Sequence, residues 1–186
     1  MRLRLKLCLF VAAAGSALPG HADDCKRSAA PARYALSSVS PLLGADPEAA
    51  VFTVLRADGC VTQVVPAHHR DAGTYRLRLT PQARDAWLGR LDATGVRRLD
   101  PTALRRRHEA AVAKAAQNED AAVFESYDEN LIAIEFIDAG GASRRVHWST
   151  LARDRANHPH DAELRALGES VDLLRALGHE VQSHAR

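Results

Sequence analysis

Three cysteines in 186 residues, no two of them at C-x-x-C spacing, leave this chain without a dithiol redox motif. Its longest apolar run, Leu7 to Leu18, is too short to span a bilayer and is broken by Gly15 and Ser16. No G-x-S-x-G, H-E-x-x-H, Walker or dinucleotide fingerprint occurs. The sequence therefore points to no cofactor and offers no catalytic residue. Ser149 lies two residues after His147, but no third group that would orient such a pair can be identified.

What is present begins with a leader. Arg2, Arg4 and Lys6 precede the apolar run, and Gly20-His21-Ala22 places small residues where a signal peptidase reads. Residues 1–22 are expected to be a secretory signal peptide, so the protein is expected to be exported, periplasmic in a Gram-negative cell and otherwise secreted. No membrane span is expected after cleavage. The leader holds three of the 25 basic residues and none of the 23 acidic ones, so the remaining chain has 22 against 23 and a formal charge of −1. A nucleic-acid partner is not expected. The cluster Arg105-Arg106-Arg107 lies in a helix flanked by Asp100 and Glu109 and reads as a solvated face.

Cleavage would also discard Cys8 and leave Cys25 and Cys60, an even pair in an oxidising compartment. A bridge between them would close a loop of about 35 residues, worth roughly 3 to 4 kcal/mol in the chain-entropy account.

The rest reads as an α+β fold: antiparallel β-meanders with helices on one face, with a pseudo-duplicated β-β-β-α plan. Residues 23–50, rich in Ala, Ser and Pro, read as an irregular N-terminal arm with one possible strand at Tyr34 to Val39. Residues 51–178 read as a single domain and 179–186 as a C-terminal tail. Val51 to Arg56 and Cys60 to Val65 are β-branched runs joined at Asp58-Gly59, a hairpin signal. Thr74 to Leu79 alternates, with Tyr75, Leu77 and Leu79 opposite Thr74, Arg76 and Arg78.

Thr80-Pro81 then opens a helix that Gly95 stops, with Trp87 on its apolar stripe as core rather than a ligand-stacking ring. Val96 to Leu99 reads as an extended link, and Asp100-Pro101 opens a second, alanine-rich helix that should be peripheral. Runs at 122–127, 131–137 and 143–148 repeat the three-strand plan. Glu135 and Arg145 should pair across adjacent strands of the last two. A short helical turn to Asn157 precedes a final helix from Asp161, whose Leu164, Leu167, Val171, Leu174 and Leu177 follow a 3/4 spacing up to Gly178.

The segments FTVLRADGCVTQV, GTYRLRLTPQARDAWLGRL, GVRRLD and RRVHWS, followed by a Leu-rich helix, resemble an uncharacterised group of bacterial exported domains. The resemblance covers Val51 to Leu177 and implies a fold, with no site residues to transfer.

Two surface features suggest function. Arg76, Arg78, Arg145 and His147 fall on the outer faces of strands and together suggest a binding surface for another envelope protein or an anionic cell-wall component. His68-His69 and His158-Pro159-His160 would supply a metal site only if the two loops converged, since neither spacing holds a metal alone. A non-enzymatic binding module is the expectation from the first feature. A hydrolase or metal-dependent enzyme is the alternative from the second.

Overall fold

A computed structural model describes residues 22–40, 42, 47–117 and 130–185. The leader up to residue 21 and the run expected as a strand at 122–127 lie outside the described residues.

The molecule is α+β. Six strands form one antiparallel sheet: β1 Ala32–Val39, β2 Val51–Arg56, β3 Cys60–Val65, β4 Gly73–Arg78, β5 Leu131–Ile137 and β6 Ser143–Trp148. Their order is β4-β3-β2-β1-β5-β6. The one possible strand read within the irregular arm, at Tyr34 to Val39, thus forms as β1, and it lies at the centre of the sheet, with β2 on one side and the β5-β6 hairpin on the other. Its composition is poor in β-branched residues, but large and small residues alternate along it. Tyr34 and Leu36 are buried, while Ala35 and Ser37 lie on the other face. The two expected layers are joined through this strand into one sheet.

Ala57, Asp58 and Gly59 close the β2-β3 hairpin. Only Gly59 takes a positive φ, +84°, and the Asp58 carboxylate accepts the Cys60 N–H at 3.0 Å. The loop is therefore a turn followed by one left-handed residue, not a two-residue turn with both positions left-handed.

Four helices follow the expected signals: α1 Pro81–Ala93, α2 Pro101–Ala116, α3 Leu151–Asn157 and α4 Ala162–His184. Thr80 Oγ1 caps α1 by accepting the Ala83 N–H, Asp100 caps α2 through Thr102 and Ala103, and Asp161 caps α4 through Glu163 and Leu164. Val96–Arg98 forms a 3-10 turn, not an extended link, because Arg98 and Leu99 bond back to Gly95 and Val96. The α2 expectation holds: Leu104 is its fully buried side chain and residues 109–114 are all exposed.

The core lies between the sheet and α4. Tyr34, Leu36, Leu55, Val61, Ile134 and Phe136 point to this face, and Leu164, Leu167, Val171, Leu174, Leu177 and Val181 meet them. Each fully buried leucine contributes on the order of 2 kcal/mol. Helix α4 does not stop at Gly178. It runs one and a half turns further, so most of the expected tail is helical and Val181 is buried. Gly178 is instead a close-approach glycine: a Cβ there would lie 2.5 Å from Gln63 Nε2 and 2.8 Å from Thr53 Oγ1. Absence of a side chain, not a break in the helix, lets α4 settle over these two buried polar residues.

Trp87 is buried, as expected of a core residue, with the Arg90 guanidinium 4.3 Å above its ring. Cys25 and Cys60 form the disulfide. Cys60 alternates with Val61, so it points away from the helices, and its bond holds the 3-10 turn Ala22–Arg27 against β4 and β3.

Candidate functional site: the open face of the sheet

The face opposite α4 is built by the residues that alternate with the core. The strand registers arrange them in rows across all six strands. One row runs Arg76, Thr62, Val54, Ala35, Glu135, Arg145, and the next runs Thr74, Val64, Phe52, Ser37, Ala133, His147. Among the described residues, no α-helix packs on this face, and the disulfide-held turn reaches it only at the β3-β4 corner.

The centre of the face is a groove of about 400 Å³ lying along β1 and β5. Ala35, Ser37 and Ala133 are its floor, and their short side chains create the depression. Phe52 on β2 stands on one side and Arg145 and His147 on β6 stand on the other, while Val39, Ala50 and Leu131 close one end. Glu135 pairs with Arg145 directly opposite it, as the sequence leads one to expect. That bond uses one terminal nitrogen of Arg145, whose side chain remains 59% exposed and keeps its other donors free among the described residues.

The four residues expected to form a binding surface share this face without forming one patch. Arg76 and Arg78 are on β4, and Arg145 and His147 are on β6. These are opposite edges of the sheet, five strand spacings or about 24 Å apart. Arg78 is further engaged with the hairpin: its guanidinium lies 3.5 Å from the Asp58 carboxylate and donates to the Asp58 carbonyl at 3.2 Å. Burial alone would raise the Asp58 carboxyl. Hydrogen bonds from Ser28 Oγ and the Cys60 N–H, with the charge of Arg78, outweigh it and hold the group below the usual carboxylate range. Arg76 makes no ion pair among the described residues.

The four histidines do not gather into a metal centre. His68 and His69 lie against each other in the β3-β4 loop, with ring centroids 4.4 Å apart and ring planes tilted by 42°. His158 and His160 lie between α3 and α4, where His158 meets the edge of His108 at 6.5 Å. Among the described residues, no three His, Cys, Asp or Glu side chains are placed to hold a metal ion.

A polar corner under α2 is not evident from the sequence. The Asp154 carboxylate, 5% exposed, accepts from Trp148 Nε1 at 2.7 Å and from Thr150 Oγ1 at 2.6 Å, and His108 Nε2 lies 3.5 Å away. A His-Asp pair suggests acid-base chemistry. Here, however, Nε2 faces Asp154 and Nδ1 is buried with no partner, so neither ring nitrogen is presented to a substrate. The pair fastens α2 to the β6-α3 corner. A second hollow of about 250 Å³ is ringed by Arg97, Arg98 and Arg144, but two of these are committed internally. Arg97 donates to the Ile137 and Asp138 carbonyls and Arg144 binds the Asp138 carboxylate.

No family model matches the chain, and neither a curated protein nor a solved structure matches it. The geometry of the open face therefore carries the functional argument. Of its floor residues, Ala133 lies on a strand the sequence predicts, whereas nothing local places Ala35 and Ser37, on the one possible strand of the arm, beside it. The alternation of Tyr34 and Leu36 with Ala35 and Ser37 is the signal that marks them.

Proposed function

We propose that this protein is a non-enzymatic binding module of the cell envelope that engages another envelope protein through the open sheet face. The single observation that carries the reading is the groove over β1 and β5, an apolar depression edged by His147 and the Glu135–Arg145 ion pair and left bare by every described helix. An apolar depression left open on a sheet offers surface for another molecule to bury. Location in the envelope rests on the leader and on the Cys25–Cys60 bond, which suits an oxidising compartment. No helix among the described residues is long and apolar enough to cross a membrane. A hydrolase built on the histidine loops has no comparable observation behind it.

The test is capture from envelope extract, followed by reconstitution from purified components. A stoichiometric partner is expected with the wild-type protein and is expected to be lost with Ala133→Trp, which fills the groove, and with Arg76→Glu plus Arg145→Glu. Unchanged capture by both variants would remove the face from consideration.

A further inference from the structure

Resting on that reading, we infer that the molecule covering the face is a second copy of this chain, set on the first by a twofold axis that runs parallel to the strands between β2 and β1. The face divides into a raised half and a hollow half. On β2 and β3 it carries Phe52, Val54 and Val64, and Val64, at 36% exposure, is the one exposed large apolar residue of the sheet among the described residues. On β1 and β5 the same two rows carry Ala35, Ser37, Ala133 and Glu135. An axis between the halves lays the raised half of each copy in the hollow of the other. Val54 then faces Ala35, Phe52 faces Ser37 and Val64 faces Ala133, each pair formed twice. A bulky residue opposite a short one fills the roughly 10 Å between packed sheets. Packed sheets also cross at about 30°, which displaces the outer strands by about one to two residues and leaves the pairs beside the axis, Phe52 with Ser37 and Val54 with Ala35, in place. The other face-to-face dyad, at right angles to the strands, sets raised half on raised half and leaves the groove of about 400 Å³ unfilled.

Area and charge fit a reversible dimer. Five strand spacings by strands of six residues give a face of about 24 by 20 Å, on the order of 500 Å² per copy and about 1,000 Å² in all, the low end for a specific interface. Charge stays at the rim, where water screens it. Glu135 neutralises Arg145, and Asp58 neutralises Arg78. Arg76 is the one arginine of the two rows without an ion pair among the described residues, and the axis carries it to the β5-β6 edge of the other copy. There Glu135 uses one carboxylate oxygen for Arg145 and has its second free among the described residues. Thr62, laid over β5, brings a hydroxyl to the same carboxylate.

The experiment follows the full exported chain by sedimentation equilibrium from about 1 to 300 µM. A dimer with a dissociation constant on the order of 10 µM is expected, and tagged protein is expected to draw the untagged chain from envelope extract. Val64→Lys, at a position already exposed in the single copy, and Ala133→Trp, which fills the hollow, should each weaken the dimer at least about tenfold while the amide spectrum stays dispersed. Adding Val64→Ala to Ala133→Trp should restore most of the lost affinity, since the smaller residue of one copy makes room for the indole of the other. Orientation is read by mixing Val64→Cys chains with Ala133→Cys chains: a short thiol crosslinker is expected to join the mixture and neither variant alone. A monomer at every concentration overturns the inference. So does a dimer that both substitutions leave unchanged, or one in which Val64→Cys chains crosslink to each other. A monomer whose Ala35, Ser37 and Ala133 amides shift when residues 118–129 are shortened makes the occupant a segment of the same chain and overturns it as well. If self-association is absent while capture of a different envelope protein depends on Ala133 and Arg145, the binding face stands and the second copy falls. If neither self-association nor capture responds to Val64 or Ala133, the face itself falls.

Discussion

Gly178 on α4 lies directly over Gln63 on β3, so near that a β-carbon at residue 178 would come within 2.5 Å of the Gln63 amide nitrogen. The same carbon would come within 2.8 Å of Thr53 Oγ1, a branched side chain that cannot swing aside as freely. Substitution Gly178→Ala adds helix propensity worth about 1 kcal/mol but overpacks a contact that costs about 1–3 kcal/mol. The expected outcome is net destabilisation in urea unfolding, partly relieved when Thr53→Ser or Gln63→Ala is added. Stabilisation by Gly178→Ala would show that α4 can lift off the sheet without loss.

Asp154 is expected to matter for stability and not for chemistry. Replacement by alanine leaves the Trp148 indole N–H and the Thr150 hydroxyl without their acceptor in a buried corner, and frees His108 beside them. The expected loss is about 2–4 kcal/mol in urea unfolding, with a change in the Trp148 emission. Asp154→Asn, which keeps an acceptor oxygen, should lose less. Equal losses for the two variants would mean that the negative charge of the carboxylate, not its shape or a single acceptor oxygen, holds the corner.

The Cys25–Cys60 bond separates its cysteines by 35 residues. Replacing both with alanine should cost about 3–4 kcal/mol by the chain-entropy account. The folded chain should also exchange amide hydrogens faster in β4, against which the disulfide holds the Ala22–Arg27 turn. Protection unchanged in β4 would show that the turn docks without its covalent tie.

Acid should weaken the β2-β3 hairpin through Asp58. The folded protein binds this proton less tightly than the unfolded chain, so the stabilisation from Asp58 is complete above the ordinary aspartate value of about 4. It disappears as the pH falls through the lower folded value. Asp138 and Asp100 shift in the same direction, the first through Arg144 and the Ala142 N–H and the second through the Ala103 and Thr102 N–H groups. Asp58→Asn should therefore be less stable than wild type at neutral pH and lose less stability between about pH 5 and 2. Parallel acid profiles for the two proteins would exclude the Ser28-Cys60-Arg78 network as the cause.

Much of this fold is legible in the sequence because it depends on local chemistry. Asp58-Gly59, Thr80-Pro81, Asp100-Pro101 and Asp161 act through their own backbone neighbours, and each turn or cap forms where the residue types place it. Alternation in β5 and β6 likewise reports which side of a strand is buried, and in β4 it places the half-buried Tyr75 and Leu77 against the core, whatever each strand pairs with. The pairing of Glu135 with Arg145 follows from a short hairpin, in which the loop fixes the register.

Tertiary structure alone decided what joins what. No local signal states that Ala32–Val39 should enter between β2 and β5, because a central strand is selected by partners distant in sequence and not by its own propensity. That insertion places Arg76 and Arg145 at opposite edges and sets the small residues Ala35, Ser37 and Ala133 side by side as the floor of a groove. It also changes the meaning of Gly178, from a helix stop to a point of contact, since only a packed sheet below makes its missing side chain necessary. By itself, the sequence of this protein determined its turns, caps and faces, which are properties of a few neighbouring residues. The site depended on the order of strands in the sheet, which is settled by burial summed over the whole chain.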